Sequence, residues 1–365
     1  MIPVCEPTLK GNELKYVSDC IKTGWVSSVG SYVTKFEEEF SKYCGVQNGV
    51  SCNGGTAALH LALEALKIKP GSEVIIPNFT MISTAFAVQY AGLKPVVVDA
   101  NPKTWNIDVS QIEDKITDKT KAIIAVHIYG HPCDMDEINK IAKDHNLFVI
   151  EDAAEAHGAE YKGRKTGSLS DLACFSFYGN KIITTGEGGM ILTNNKEFAE
   201  RMEYLGNLTF KKPRYIHDEI GWNYRMPNTN AAIGLAQVER IEELVKGRRD
   251  NAKWYNELLK DVDGITLPVE QSYVKNVYWM YGIIIEDNFG ITRDKVIEKL
   301  LELGVQTRPF FWPMHLQPSI NTKNKDDSFP VSEKLGKQGL YLPSSSHLTK
   351  EQVEEIVEKI KSLKK

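Results

Sequence analysis

Between about residues 50 and 195 the chain alternates short runs rich in valine and isoleucine with segments of helical period, and few folds accept that alternation. A strand that is apolar on both faces must be covered on both, and the intervening segments supply the helices that cover it. The pattern therefore predicts an α/β unit built on a mostly parallel sheet between helices. Strands are expected at residues 73–76, 95–99, 122–128, 147–151, 173–177 and 190–193. Helices are expected at 56–66, where Leu59, Leu61, Leu63 and Leu66 supply the apolar positions, at 83–91 and at 135–145. In such sheets ligands sit at the carboxyl ends of the strands, so the residues that follow each run are the ones to inspect.

The chain has 365 residues, more than one such unit needs. An amphipathic stretch over 228–259, with Ile233, Leu235, Val238, Ile241 and Leu244 at helical spacing, is expected to bridge to a second unit. Beyond it a strand at 277–285, a helix at 293–303, a strand at 305–308 and a terminal helix at 351–363 make a smaller α+β layer. The expected division is a large domain over 1–240, N-terminal segment included, and a small C-terminal domain over 241–365.

Several function classes drop out early. No apolar stretch approaches the roughly 20 residues that span a bilayer, and the start carries neither a basic leader nor a cleavage signal, so a cytoplasmic protein is expected. The six cysteines (Cys5, Cys20, Cys44, Cys52, Cys133, Cys174) include no C-x-x-C pair, which argues for reduced thiols over a zinc knuckle or a disulfide framework. A net charge of −4, with Lys/Arg and Asp/Glu interspersed, gives no reason to expect nucleic-acid binding. His127 and His131 straddle Tyr-Gly rather than a helical turn, so no metal ligation is expected.

Three segments carry chemistry. In Ser176-Phe-Tyr-Gly-Asn-Lys181, followed by Gly186-Glu-Gly188-Gly189, a lysine comes after a predicted strand and before a glycine-rich turn. A lysine held there can be desolvated, which lowers its pKa and frees the amine to attack an aldehyde. Taken alone it reads as a surface lysine beside a loop and decides nothing. In Glu151-Asp152-Ala-Ala-Glu155-Ala-His157 two carboxylates end a strand and small residues follow. An aspartate so placed can keep a pyridinium nitrogen protonated, and it can also bind magnesium or cap a helix. Glu155 and His157 then stand near the site or serve a polar turn. Finally, Cys52-Asn53-Gly54-Gly55-Thr56 leads directly into a helix whose free N–H groups and dipole favour an anion such as phosphate, though an ordinary turn uses the same residues.

Taken in this order along one chain, the three segments resemble the sugar aminotransferases of the fold-type-I pyridoxal-phosphate enzymes. The similarity runs from Gly24-Trp25-Val26-Ser27-Ser28, through the segments above, to Gly221-Trp-Asn-Tyr-Arg-Met226 and Arg308-Pro-Phe-Phe-Trp-Pro-Met-His315. The resemblance implies an aspartate-aminotransferase-like fold with pyridoxal 5'-phosphate as cofactor. Lys181 would carry it as a Schiff base, Asp152 would pair with its ring nitrogen and Glu155 would lie near its phenolic oxygen. Gly55, Thr56 and Ser176 would hold its phosphate. It further implies a homodimer with active sites at the subunit interface, where Asn223 touches the phosphate bound by the neighbouring chain. Trp25, Ser27, Arg225, Phe310 and His315 match segments that line the sugar-nucleotide site, and core or capping roles would suit them too.

Two departures stand out. Met81 occupies the place where the family usually stacks an aromatic residue on the cofactor, and the phosphate turn reads Asn-Gly-Gly-Thr instead of Ser-Asn-Gly-Thr. A thioether still packs on a π face. The activity implied is transfer of the amino group of L-glutamate to a 4-keto-6-deoxy nucleotide sugar, GDP-4-keto-6-deoxy-D-mannose foremost, for polysaccharide or O-antigen synthesis. UDP- or dTDP-linked keto sugars are the competing acceptors. A dehydratase on the same scaffold would carry histidine where Lys181 stands, and a non-catalytic sugar-binding regulator would lack the lysine, aspartate or phosphate turn.

Overall fold

The computed structural model describes residues 1–320 and 328–364. Its large sheet has seven strands: β1 (Asn48–Cys52), β2 (Glu73–Pro77), β3 (Lys94–Val98), β4 (Thr120–Val126), β5 (Phe148–Asp152), β6 (Leu172–Ser176) and β7 (Gly189–Thr193). They lie in the order β1-β7-β6-β5-β4-β2-β3. All run the same way except β7, which is antiparallel to both β1 and β6. Each of the six expected strands is present within two residues of its expected place. β1 was not foreseen: Asn48-Gly-Val-Ser-Cys52 is short and mixed in polarity, and it joins the sheet only by pairing with β7.

Helices Gly55–Ala65, Ser83–Tyr90 and Met135–Asp144 connect the strands and bury their apolar faces on the sheet. The expected helix over 228–259 is two helices, Asn228–Val238 and Ile241–Leu259, because the backbone turns at Arg240 (φ −120°, ψ 10°). Packing forces the separation. Gly234 presses against the Phe36 ring, which would stand 2.7 Å from a Cβ there, while Gly247 lies against the carbonyl of Ser346 in the C-terminal unit.

The C-terminal unit has its own four-stranded sheet, in the order Ile265–Thr266, Tyr281–Ile285, Gly339–Leu342, Arg308–Pro309. A second core forms under it from Tyr255, Ile283, Phe289, Leu300 and Ile356. The strand expected at 277–285 begins only at Tyr281, because Tyr278 adopts a left-handed φ of 48°. Where a strand was expected over 305–308, the strand is Arg308–Pro309, and Val305 instead bridges Ile2. The N-terminal residues, expected with the large domain, thus pair with the smaller one. Ile2 donates to Gly304 at 2.7 Å and accepts from Gln306 at 2.9 Å, and Val4 accepts from Ser344 at 2.9 Å.

Asp99, just past β3, ties the units together. Its carboxylate accepts from the amides of Val331 (3.0 Å) and Ser332 (2.8 Å) at the start of helix Pro330–Gln338, and from the Ser332 hydroxyl. Among the described residues no helix is long and apolar enough to cross a membrane. Replacing Asp99 with alanine orphans two amides at a helix start, and the expected loss of stability is about 1–3 kcal/mol, read as a lower denaturant midpoint in equilibrium unfolding.

Candidate active site

The carboxyl ends of the parallel strands open into a cavity of about 740 Å³. Asp152 is the last residue of β5 and Ser176 the last of β6, so two neighbouring strands each deliver a polar side chain to its wall. Lys181 follows on the next loop, where its amide bonds to the Tyr178 carbonyl at 2.9 Å. Only a tenth of its side chain is exposed, and Nζ lies 4.0 Å from Glu155 Oε1.

Burial dominates the electrostatics. It lowers the pKa of Lys181, and the nearby carboxylates of Glu155 and Asp152 oppose that shift. It pushes Glu155 up to about 7 against the Lys181 charge and an amide bond from Tyr129 at 2.7 Å. Asp152 is raised as well, opposed by the Thr84 hydroxyl at 2.9 Å and the Ala154 amide at 3.3 Å. A cation set against Asp152 would draw it back towards the ionised form.

Beside Ser176 helix Gly55–Ala65 begins, with no side chain capping its N-terminus. Its first amides are therefore free for an anion, and the Thr56 and Ser176 side chains line the same wall. Gly55 is needed there by contact: a Cβ would sit 2.7 Å from that of Ser176. The donor set fits pyridoxal phosphate: uncapped amides and hydroxyls for a phosphate, a buried carboxylate for a ring nitrogen, and an amine of lowered pKa for an aldehyde.

Residues 7–361 match the DegT/DnrJ/EryC1/StrS aminotransferase family. The chain belongs to that family. It is 47% identical to the GDP-perosamine synthase of Caulobacter vibrioides over 358 residues, 98% of this chain and 96% of the relative. It is 44% identical to that of Escherichia coli O157:H7 over 360 residues, 98% and 97% of the two chains. Among solved structures, DesV of S. venezuelae in complex with a ketimine intermediate superposes with a TM-score of 0.91 at 33% identity, covering 96% of this chain and 94% of DesV. The fold is accordingly that of fold-type-I aminotransferases.

Within this family member Gly55, Thr56, Met81, Asp152, Glu155, Ser176 and Lys181 all line one cavity, although they come from four segments of the chain. Met81 sits at its edge, 48% exposed. The other expected residues lie elsewhere. Asn223 is exposed and pairs with Asn207, whose side chain also takes a bond from Arg225 at 2.9 Å. The Trp25 and Ser27 carbonyls are bonded by the side chain and amide of Asn228, which leaves the Trp25 ring 56% exposed.

Phe310 and His315 do not line the cavity either. The strand Arg308–Pro309 ends before Phe310, whose ring turns into the core against Trp105, Tyr129 and Phe79. His315 is buried and bonded to Asn78 and Glu333, which ties the loop after β2 to helix Pro330–Gln338. The cavity takes Arg308 and Phe311 from the same segment instead. It also takes Tyr224, Trp279 and Tyr341, and Thr84 supports Asp152 from behind; none of these four was among the expected site residues. His157 packs among Phe40, Phe175 and Phe177, and burial pushes its pKa down to about 3, so the ring is neutral.

A side chain at Gly55 must displace Ser176. Gly55→Val is expected to cost about 1–3 kcal/mol by overpacking, measurable as a drop in thermal midpoint.

Proposed function

We propose that this chain is a pyridoxal-phosphate-dependent aminotransferase that moves the amino group of L-glutamate to C4 of a 4-keto-6-deoxy nucleotide sugar, with GDP-4-keto-6-deoxy-D-mannose as acceptor. The observation that carries this reading is the meeting of Lys181, Asp152, Glu155 and the uncapped helix start at Gly55 in one cavity. Full-length relatives named GDP-perosamine synthase support the choice of acceptor.

When bound, pyridoxal 5'-phosphate supplies an aldehyde that captures amines and a ring that takes up electrons. Lys181, whose amine burial favours in the neutral form, would hold the cofactor and, when free, would carry the proton on and off the amine-bearing carbon of the substrate. Asp152 keeps a proton on the ring nitrogen, and Thr84 fixes its carboxylate. Glu155, anchored by the Tyr129 amide, faces the phenolic oxygen. The amides from Gly55 onward, with the Thr56 and Ser176 hydroxyls, would bind its phosphate, and Met81 at the cavity edge would meet its ring.

The reading includes a homodimer. Asn223, exposed and outside its own chain's cavity, reaches the phosphate of the neighbouring chain, and Trp25, Ser27 and Arg225 face the sugar nucleotide. The reading keeps a division near residue 240 between a large domain and a small C-terminal one, supported by the turn at Arg240 and by a separate four-stranded sheet in the C-terminal part, with the first residues of the chain pairing with that smaller part. Six unpaired thiols suit the cytoplasm.

Purified protein should show a visible absorption band that L-glutamate bleaches and Lys181→Ala lacks; a colourless protein that also takes up no added pyridoxal phosphate overturns the reading. Incubated with glutamate and a panel of keto sugar nucleotides, the enzyme should aminate the GDP-linked sugar, detected by mass spectrometry. Reaction with only UDP- or dTDP-linked sugars would remove the proposed acceptor and leave the aminotransferase standing.

A further inference from the structure

Lys181 is held from two sides, and only one of them belongs to the large sheet. Trp279 comes from the C-terminal unit, is 3% exposed, and lays its ring face 3.7 Å from Lys181 Nζ. Its indole N–H donates at 2.8 Å to the carbonyl of Asn180, the peptide oxygen directly before the lysine. The Cys5 thiol donates to the same oxygen at 3.3 Å, and a carbonyl with two lone pairs takes both. One side chain thus grips Lys181 at its backbone and at its amine.

Three costly features around Trp279 make this placement a constructed one. Tyr278, the residue before it, sits at φ 48°, a region unfavourable for any side chain with a Cβ, and is held there by Asn276 on its amide (2.8 Å) and Glu270 on its hydroxyl (3.2 Å). Gly130 lets the segment approach, since a Cβ there would lie 2.7 Å from the Val277 side chain and 3.1 Å from the Trp279 nitrogen. Arg248, buried in full, donates to the Trp279 carbonyl at 2.6 Å. Strain, a close-contact glycine and a buried guanidinium all converge on the residue that touches the lysine.

We propose that Trp279 is the positioning residue of Lys181: its indole N–H fixes the peptide that bears the lysine, and its ring face holds the ammonium whenever the nitrogen is not covalently engaged. The proposal rests on the reading that Lys181 carries the cofactor. The other charged or titratable groups that face the amine are Glu155 and Asp152 from the strand-end loop, Cys5 from the N-terminal segment, and His157, which stays neutral. A desolvated aromatic face adds to the carboxylates, favouring the ammonium by about thirtyfold, or about one and a half pH units. Without it the freed side chain would lose both its preferred place and part of its charge.

The test uses the full chain freed of cofactor, with the pH dependence of Lys181 modification by trinitrobenzenesulfonate followed by peptide mass spectrometry. In Trp279→Leu the midpoint should fall by about one unit or more. Fluorinated tryptophans inserted at position 279 keep the shape and the indole N–H while draining charge from the ring, and the midpoint should fall stepwise with each fluorine. A flat fluorinated series overturns the proposal, and it decides the matter even where the leucine variant does not fold. Because the midpoint is read without cofactor, it can fail while the absorption band of the loaded enzyme survives, and the reverse.

Discussion

When parallel strands end along one edge of a sheet, the groups that follow them must either reach water or be held together in low dielectric. Here Asp152 and Ser176 end neighbouring strands, with Glu155 and Lys181 close behind, and the C-terminal unit lays Trp279, Phe311 and Tyr341 over them. Desolvation is accordingly the first cause of the shifts at Lys181, Asp152 and Glu155. Burial pushes each of these groups towards its neutral form. The opposite charges of the amine and the two carboxylates oppose that push.

That constraint explains the division of labour between the two units. The large sheet supplies reactive groups at fixed positions, because strand ends in a packed parallel sheet have little freedom. The small unit supplies apolar cover and an aromatic face. Asp99, just past β3, binds the two units by accepting from the amides at the start of helix Pro330–Gln338, and such bonds to main-chain groups hold geometry more strictly than apolar contact does.

Much of this was legible in the chain. The strand pattern placed six of seven strands, and the spacing of Gly55-Thr56, Asp152-Glu155 and Lys181 picked out groups that meet in one cavity across more than a hundred residues. Local pattern misled where side-chain direction mattered. Arg308, Phe310 and Phe311 sit side by side in sequence, yet the strand ends between them, and Phe310 goes to the core while its neighbours face the cavity. His315, expected at the sugar-nucleotide site from the resemblance, is bonded to Asn78 and Glu333.

The sequence by itself determined the fold class and the polar groups that meet in the cavity, because both rest on short-range facts: apolar runs of strand length, a glycine turn before a helix, a carboxylate and a lysine just past strand ends. Tertiary structure alone decided what surrounds them. The break at Arg240, the left-handed Tyr278, the burial of Phe310 and the contact of Trp279 with Lys181 each depend on segments far apart in the chain being pressed together. Close packing fixes such contacts only when the whole core is assembled, and no local period records them.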